Sequence, residues 1–435
     1  MVRRSRRTGL KIVDVTEFYS ERGGGIRSHL TSRGHFLCQL GHDHTVIAPG
    51  PRDEDAESSP AVSGAASAGR GGGGGRARVV RIAGPTLPYD RTYHLLGRLD
   101  KIRERVRAEP PDVLEAHSPY LGMAAVVACG RPAPVQTAFW HADHVGTYVE
   151  PALEKVLGPR VARAISAPLW QGVRGLLAPF DATFVAGRAQ ADRLRRAGVR
   201  NVILVPFGVD GATFRPASRE DPAEREALRR ELLGGQAADA SRAILLVGVG
   251  RFAIEKRWDV VIDAFARVRA RRDAVLVLFG DGPERARLAR SAPPGVRFAG
   301  FETDRTRLAR SLAAADLLVH GCPYETYGLG VAEAVACAVP VVVPDAGGAA
   351  ESADPSAAET YASLDPDACA AAIERLLARR DRDPSALHAR AIAAAARAPT
   401  LASHYATVLA TYASLRGEHP GRSRDARRRP AGLGS

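Results

Sequence analysis

Lysine is nearly missing from this chain of 435 residues: only Lys11, Lys101, Lys155 and Lys256 occur among 61 cationic side chains. The rest are arginine in an alanine- and glycine-rich sequence, so the net charge of +13 reads first as compositional drift. No basic stripe interleaved with aromatics and no nucleic-acid-binding motif appears, which argues against a nucleic-acid partner. Long apolar runs are missing too, since none approaches the roughly 18 residues of a membrane-crossing helix. The basic start MVRRSRRTGLKIVDV runs straight into a strand-like segment, with no signal-peptide apolar region. The expected location is the cytoplasm. The five cysteines (Cys38, Cys129, Cys322, Cys337, Cys369) are scattered and form no CxxC pair, which excludes a disulfide framework and the common zinc spacings.

What is present is a soluble, globular composition, 45% hydrophobic and 25% charged, in a chain too long for one ordinary core. Strand-like runs alternate with helical ones in two series. Leu10 to Val15 reads as a buried strand, followed by the turn TEFYSERGGG. A helix then fits Ile26 to Leu40, with Ile26, Leu30, Leu37 and Leu40 on one face and Gly41 as its stop. HTVIAPG, ARVVRIAG, PDVLEAHS, PVQTAFW, FDATFVAG and NVILVPFG continue the first series. The second begins near Ala243 with AILLVGVGR and continues through AVLVLFGDG, VRFAGF, DLLVHG and PVVVPDAGG. Alternation of this kind implies parallel βαβ units. The expected organisation is a first domain over 1–206, a second over 207–399, a return helix over 400–416 and a disordered basic tail over 417–435. From Pro51 to Gly75 the sequence turns acidic, then Ser/Ala-rich, then GRGGGGG, which predicts a flexible insertion. LEKVLGPRVARAISAPLWQGVRGLL reads as a helix pair interrupted at Pro168. Its cationic, amphipathic character gives peripheral contact with an anionic membrane as a minority reading.

Several strand-end segments carry chemistry. Gly23-Gly24-Gly25 lies between a strand and a helix, where backbone amides can approach a phosphate. The same glycines can also be a plain turn. The third glycine of GxGxxG is replaced by Ser28, which argues against NAD. In GVGRFAIEKRWD, Arg251 and Lys256 follow a buried strand, placed to neutralise a departing diphosphate or simply to be solvated. FGDGPER adds a glycine turn at Gly280, Asp281 and Gly282. In PYETYGLGVAEA two acids, Glu325 and Glu333, stand eight positions apart, with a helix starting near Leu329 after Gly328. Eight helical steps span about 12 Å, too far for an acid/base dyad. That spacing suits grips on two parts of one elongated ligand.

Taken together, GGGIRSHL, PDVLEAHSP, FWHADH, VPFGVDGATFRP, GVGRFAIEKRWD, FGDGPER and the Glu-x7-Glu element followed by PVVVPDAGGAAE resemble the family-4 retaining glycosyltransferases of GT-B fold. The resemblance covers nearly the whole chain. It implies two Rossmann-like doubly wound domains facing across a cleft, with the last helix packing back on the first domain. It implies that Glu333 binds the ribose of a nucleotide sugar, and that Glu325 and His141 contact the donor sugar. Arg251 and Lys256 would hold the diphosphate, and Gly24 and Gly25 would bring amides to the phosphates and acceptor. The implied donor-binding set also takes in Gly280, Asp281, Gly282, Gly328 and Leu329, with Gly347, Gly348 and Glu351 as lesser members. His144, next to His141 and Asp143, reads as structural or acceptor-facing.

The implied reaction moves a hexose from a GDP-mannose- or UDP-glucose-type donor to a glycan or lipid-linked acceptor, with retained configuration. No cofactor is implied. No DxD-type motif follows a strand facing the cleft, because Asp53–Asp55 lies in the insertion, and a metal-independent reaction is expected. Two departures stand out: the insertion itself, and Gly187 where the family has serine. Competing readings are a nucleotide-sugar epimerase on the same fold and a non-enzymatic polyanion-binding protein.

Overall fold

The computed structural model describes residues 9–19, 25–57, 74–88, 91–117, 119–216, 222–237, 239 and 242–418. Among the described residues, fourteen strands form two sheets. The first sheet holds β1 (Lys11–Thr16), β2 (Asp43–Gly50), β3 (Glu54–Glu57), β4 (Ala77–Ala83), β5 (Val113–His117), β6 (Val135–Trp140), β7 (Ala182–Val185) and β8 (Val202–Leu204). Its order is β3-β4-β2-β1-β5-β6-β7-β8, parallel except for β3. The second holds β9 (Ile244–Val249), β10 (Ala274–Phe279), β11 (Val296–Gly300), β12 (Leu317–Val319), β13 (Val341–Pro344) and β14 (Ala358–Tyr361), ordered β11-β10-β9-β12-β13-β14. Both sheets reverse direction of winding once, at β1/β5 and at β9/β12. Ligands of doubly wound sheets bind outside the strand carboxyl ends at such points.

The central strands are nearly continuous apolar runs because helices cover both faces. Ile244 to Val247 in β9 and every residue of β10 are buried. The covering helix Trp258–Arg269 buries Val261, Ala264, Phe265 and Val268, spaced for one helical face. The chain crosses between domains at Gly208–Val209 and again at Pro399–Leu401, and the crossings are bonded to each other. Val209 N–H donates to the Pro399 carbonyl (2.9 Å), and Leu401 N–H to that of Val209 (3.1 Å). Gly208 permits this approach, since a Cβ there would lie 2.1 Å from the Thr400 backbone. The closing helix, Leu401–Glu418, returns to the first domain, where the Tyr405 and Tyr412 side chains are fully buried.

Three sequence expectations need correction. The acidic start of the insertion is not structureless: Glu54–Glu57 pairs antiparallel with β4, and Lys101 and Arg105 match Asp53 and Asp55. Residues 58–73 of the insertion and 419–435 of the tail lie outside the described residues. The long helical segment Glu150–Leu177 breaks at Gly158, whose φ of 76° is left-handed, and Pro168 sits inside the helix that follows. The helix Gly25–Gln39 turns a wider face inward than expected: Leu30 and Leu37 are buried as predicted, Leu40 is exposed, and His29 and Arg33 are buried beside them. The reason is a set of buried polar partners contributed by β1 and β5, described below.

Candidate active site

The carboxyl ends of the two sheets face a shared cavity of about 130 Å³. His141, Asp143, His144 and Tyr148 line it from the segment after β6. Glu255, Lys256, Tyr324 and Glu325 line it from the loops after β9 and β12.

Lys256 ends a short turn, Ile254–Lys256, between β9 and its helix. Its ammonium donates to Glu325 Oε1 at 2.5 Å, and His320 Nε2 lies 3.2 Å from the same oxygen. Burial works against the charge on Glu325, but Lys256 and His320 outweigh it and hold the carboxyl well below its usual range. Burial likewise opposes the ammonium, and Glu325 more than restores it. The two groups are therefore ionised together at neutral pH. Arg251, at the same strand end, places its guanidinium carbon 5.3 Å from the Tyr93 ring centroid, a cation–π contact across the cleft. Tyr148 spans the same gap. Burial raises its pKa, as does its hydrogen bond to Glu255.

The helix Leu329–Ala336 starts at Gly328, whose φ is 86°, so Glu325 does lie in the loop before it. Glu333 is buried one helical turn and more beyond, paired with Arg305, whose guanidinium sits 4.6 Å over Phe214. Burial raises the Glu333 pKa against the pull of Arg305. Glu333 does not line the cavity that Glu325 lines. A Cβ on Gly25 would stand 3.7 Å from Leu329 Cδ1, so these two predicted site residues meet where the domains touch. Gly24 lies outside the described residues. Gly280 and Gly282 serve close packing of two turns. Added Cβ atoms would meet the Gly250 carbonyl oxygen at 1.9 Å and the Phe252 carbonyl oxygen at 2.4 Å. Phe252 N–H donates to the Asp281 carbonyl between them.

His141 is half-buried and neutral. Burial pushes its pKa well below the ordinary value, and the neighbouring His117 and Arg33 push the same way. Its carbonyl accepts from the Thr326 hydroxyl (2.8 Å), so the residue after Glu325 ties the two domains. His144 is pushed down to about 4 by burial and packs 4.7 Å from Tyr120 and 6.1 Å from Phe18, ring centre to ring centre. Asp143, raised by burial, accepts from Gly146 N–H.

Glu351, expected as a lesser member of the donor set, instead accepts backbone N–H bonds from Arg188 (2.5 Å) and Ala189 (2.7 Å), capping a first-domain helix. Sequence reasoning missed other participants. His320 and Glu255 follow strands β12 and β9 and had only that position as a signal. His117, inside the quoted EAHSP, lies 2.7 Å from His141. Three groups of side chains among the described residues bring potential metal-ligand atoms within 4.8 Å of one another: His29/His117/His141, His320/Cys322/Glu325 and Asp14/Glu115/His117. In each, protein partners already engage some of those atoms, as with Lys256 on Glu325 and Arg33 on Glu115.

Two doubly wound sheets with a charged cleft between their strand ends define the GT-B class of glycosyltransferases. Solved structures agree across the chain. Sucrose-phosphate synthase from Thermosynechococcus elongatus has a TM-score of 0.70 at 19% identity, covering 94% of this chain and 100% of that one. Anabaena HepE in complex with UDP-glucose has a TM-score of 0.64 at 17% identity, covering 93% and 100%. Residues 23–212 match the model of Glycosyltransferase Family 4, and 243–379 that of Glycosyl transferases group 1. The GDP-mannose-dependent alpha-(1-6)-phosphatidylinositol dimannoside mannosyltransferase of Mycobacterium tuberculosis is 31% identical over 381 residues, 86% of this chain and 89% of that one. A GDP-mannose-dependent alpha-mannosyltransferase of Corynebacterium glutamicum is 27% identical over 341 residues, 78% and 73% of the two chains. The chain belongs to the family-4 glycosyltransferases, and it is a hexosyltransferase that uses a nucleotide sugar. No helix among the described residues is long and apolar enough to cross a membrane.

Proposed function

We propose that this enzyme transfers a mannosyl group from GDP-mannose to a glycan or lipid-linked acceptor, with retained configuration and without a metal. The observation that carries the reading is the Lys256–Glu325 pair at the β9/β12 switch point, in one cavity with His141. Lys256 and Arg251 supply fixed positive charge where a diphosphate leaves, the task a metal performs elsewhere. Glu325 and His141 supply hydrogen-bonding groups for sugar hydroxyls, and Glu333 with Arg305 is the second grip, for the nucleoside. The sequence's lack of a DxD-type motif after a cleft strand supports metal independence, and the names of the mannosyltransferase relatives support GDP-mannose. In the transfer, the acceptor oxygen bonds the anomeric carbon on the face that the diphosphate leaves. The C–O bond to phosphate breaks, and the departing phosphate oxygen takes the acceptor's proton.

The test incubates the protein with GDP-mannose or UDP-glucose, mannoside and phosphoinositide acceptors, and EDTA. GDP release with an α-linked product supports the reading. Release only from UDP-glucose moves the donor assignment, and activity only after adding a divalent metal overturns metal independence.

An exposed apolar stripe supports a membrane-presented acceptor. Val161, Ile165 and Leu169 recur every fourth residue in the helix after Gly158 and are exposed, as is Leu157 just before the break, with Lys155, Arg160 and Arg163 alongside. Co-flotation with phosphatidylglycerol vesicles, lost in Leu157→Ser/Ile165→Ser, is the expected result; no flotation at low salt contradicts it.

A further inference from the structure

Behind the cleft wall, His141 leans on a buried charge cluster that the transfer reaction itself does not explain. His117 Nδ1 lies 2.7 Å from His141 Nε2, and the two rings meet edge to edge, with centroids 5.0 Å apart and planes 25° apart. On its far side, His117 Nε2 faces Glu115 Oε1 at 3.1 Å and Asp14 Oδ1 at 3.5 Å. Asp14 and Glu115 are adjacent strand partners in β1 and β5, and neither is exposed. Arg33 reaches both, at 3.1 Å and 2.5 Å. His44 Nε2 lies 2.6 Å from Asp14, while the Thr137 and Tyr412 hydroxyls donate to Glu115 at 2.6 and 2.7 Å. His29 and His404, both buried, close the other side of the histidine group.

Two buried carboxylates against one guanidinium leave an uncompensated negative charge, which a water-free interior disfavours strongly. His117 faces both carboxylates, so a proton there balances the cluster. Burial alone opposes that proton, but Asp14 and Glu115 prevail and raise the His117 pKa. An imidazolium carries N–H on both nitrogens. Its Nε2–H serves the carboxylates, and its Nδ1–H is left for His141. A neutral imidazole that accepts at Nε2 must keep its own proton on Nδ1.

We propose that His117 is a positioning residue for His141: clamped between Asp14 and Glu115, it donates Nδ1–H to His141 Nε2 and fixes the tautomer and plane of the imidazole at the cleft. Tyr412 extends the clamp to the return helix, so the last helix of the chain supports a group in the site. The same logic governs histidines that bind metals, where a carboxylate behind the ring sets its tautomer and orientation. Here an imidazolium takes the place of the carboxylate and inverts the direction of the bond.

The first arm of the test needs no substrate. In protein labelled with ¹⁵N-histidine, the His141 ring signals are assigned by their loss in His141→Gln. The expected signature is a protonated Nδ1 and a hydrogen-bonded, unprotonated Nε2; a proton on Nε2 overturns the proposal. His117→Asn, whose amide can donate from the Nδ1 side, retains that tautomer, whereas His117→Ala loses it. The second arm rests on the donor-site reading of His141. There His117→Ala lowers kcat about 10–100-fold, the loss usual when the partner behind a functional histidine is removed. GDP affinity stays unchanged and His117→Asn recovers much of the rate. Equal losses in both variants with an unaltered His141 tautomer contradict the proposal. If His117→Ala fails to fold, the wild-type tautomer and His117→Asn still decide. Absence of turnover in wild type would count against the donor-site reading, and the ring signals would judge His117 regardless.

Discussion

The Glu351 carboxylate, in the second domain, accepts the backbone N–H of Arg188 in the first at 2.5 Å, and that of Ala189 at 2.7 Å. The first-domain helix Arg188–Arg196 has no side-chain cap of its own, because Gly187 occupies its N-cap position. Its exposed N–H groups are satisfied across the cleft. Gly187 is also required by space: a Cβ there would lie 2.6 Å from the Thr326 carbonyl oxygen. A helix cap has been moved to the other domain, so closing the cleft completes it.

Glu351→Ala should therefore loosen domain closure. Loss of an N-cap costs about 0.5–2 kcal/mol, which at about 1.4 kcal/mol per decade predicts a roughly 2- to 30-fold rise in donor KM. Gly187→Ser should act similarly, since its side chain caps the helix locally and its Cβ pushes Thr326 away. Steady-state kinetics with small-angle scattering checks both; unchanged KM and radius of gyration contradict the latch.

Lys256 and Glu325 should behave as one unit. Removing Lys256 leaves a largely buried carboxylate without its cation, at a cost of about 1–3 kcal/mol. Lys256→Met with Glu325→Gln should destabilise by less than the sum of the single changes, a coupling that urea denaturation of the double-mutant cycle reads directly. Additive effects would mean that the pair is not formed in solution.

The same pair sets a pH dependence. Glu325 has a folded pKa below its unfolded value of 4.5. Its contribution is complete above about pH 4.5 and is lost as pH falls toward the folded pKa. Glu325→Gln should thus flatten the acid limb of the stability curve below that point. A limb of unchanged steepness contradicts this.

His404 supplies a window at milder pH. Burial holds it down to about 4, from an ordinary value of 6.5. Between these values the unfolded chain binds a proton that the folded chain does not, so stability falls as pH drops from 6.5 to about 4. Its Nδ1 lies 2.9 Å from the Pro206 carbonyl, a bond that an asparagine amide can replace. His404→Asn should lose less stability than wild type between pH 7 and 5. Equal losses would show that His404 is protonated in the folded state.

The two sheets were legible because their strands are continuous apolar runs such as AILLV and AVLVLF, and period and length suffice to recognise those. The place of Lys256 in the cleft was legible because it follows a buried strand, and that of Glu325 because of the Glu-x7-Glu spacing before a helix. Their direct pairing was not, since it depends on two loops 69 positions apart meeting at the switch point. The inward turn of His29 and Arg33 escaped the pattern because polar residues on a helix read as solvent-facing unless their partners are known. Those partners, Asp14 and Glu115, sit in strands whose alternation looked like ordinary buried sheet. The break at Gly158 was misplaced to Pro168 because proline is the louder signal; Pro159 opens the helix after the break, where proline is tolerated, and Pro168 sits inside that helix without ending it.

The most direct measurement of the central claim is calorimetric titration of GDP-mannose into wild type, Lys256→Met and Glu333→Ala. The account predicts saturable binding to wild type in EDTA and at least a tenfold loss in each variant, with the melting temperature of the Glu333→Ala protein no longer raised by the nucleotide sugar. Equal affinity in all three proteins would mean that the nucleotide sugar does not occupy this cleft.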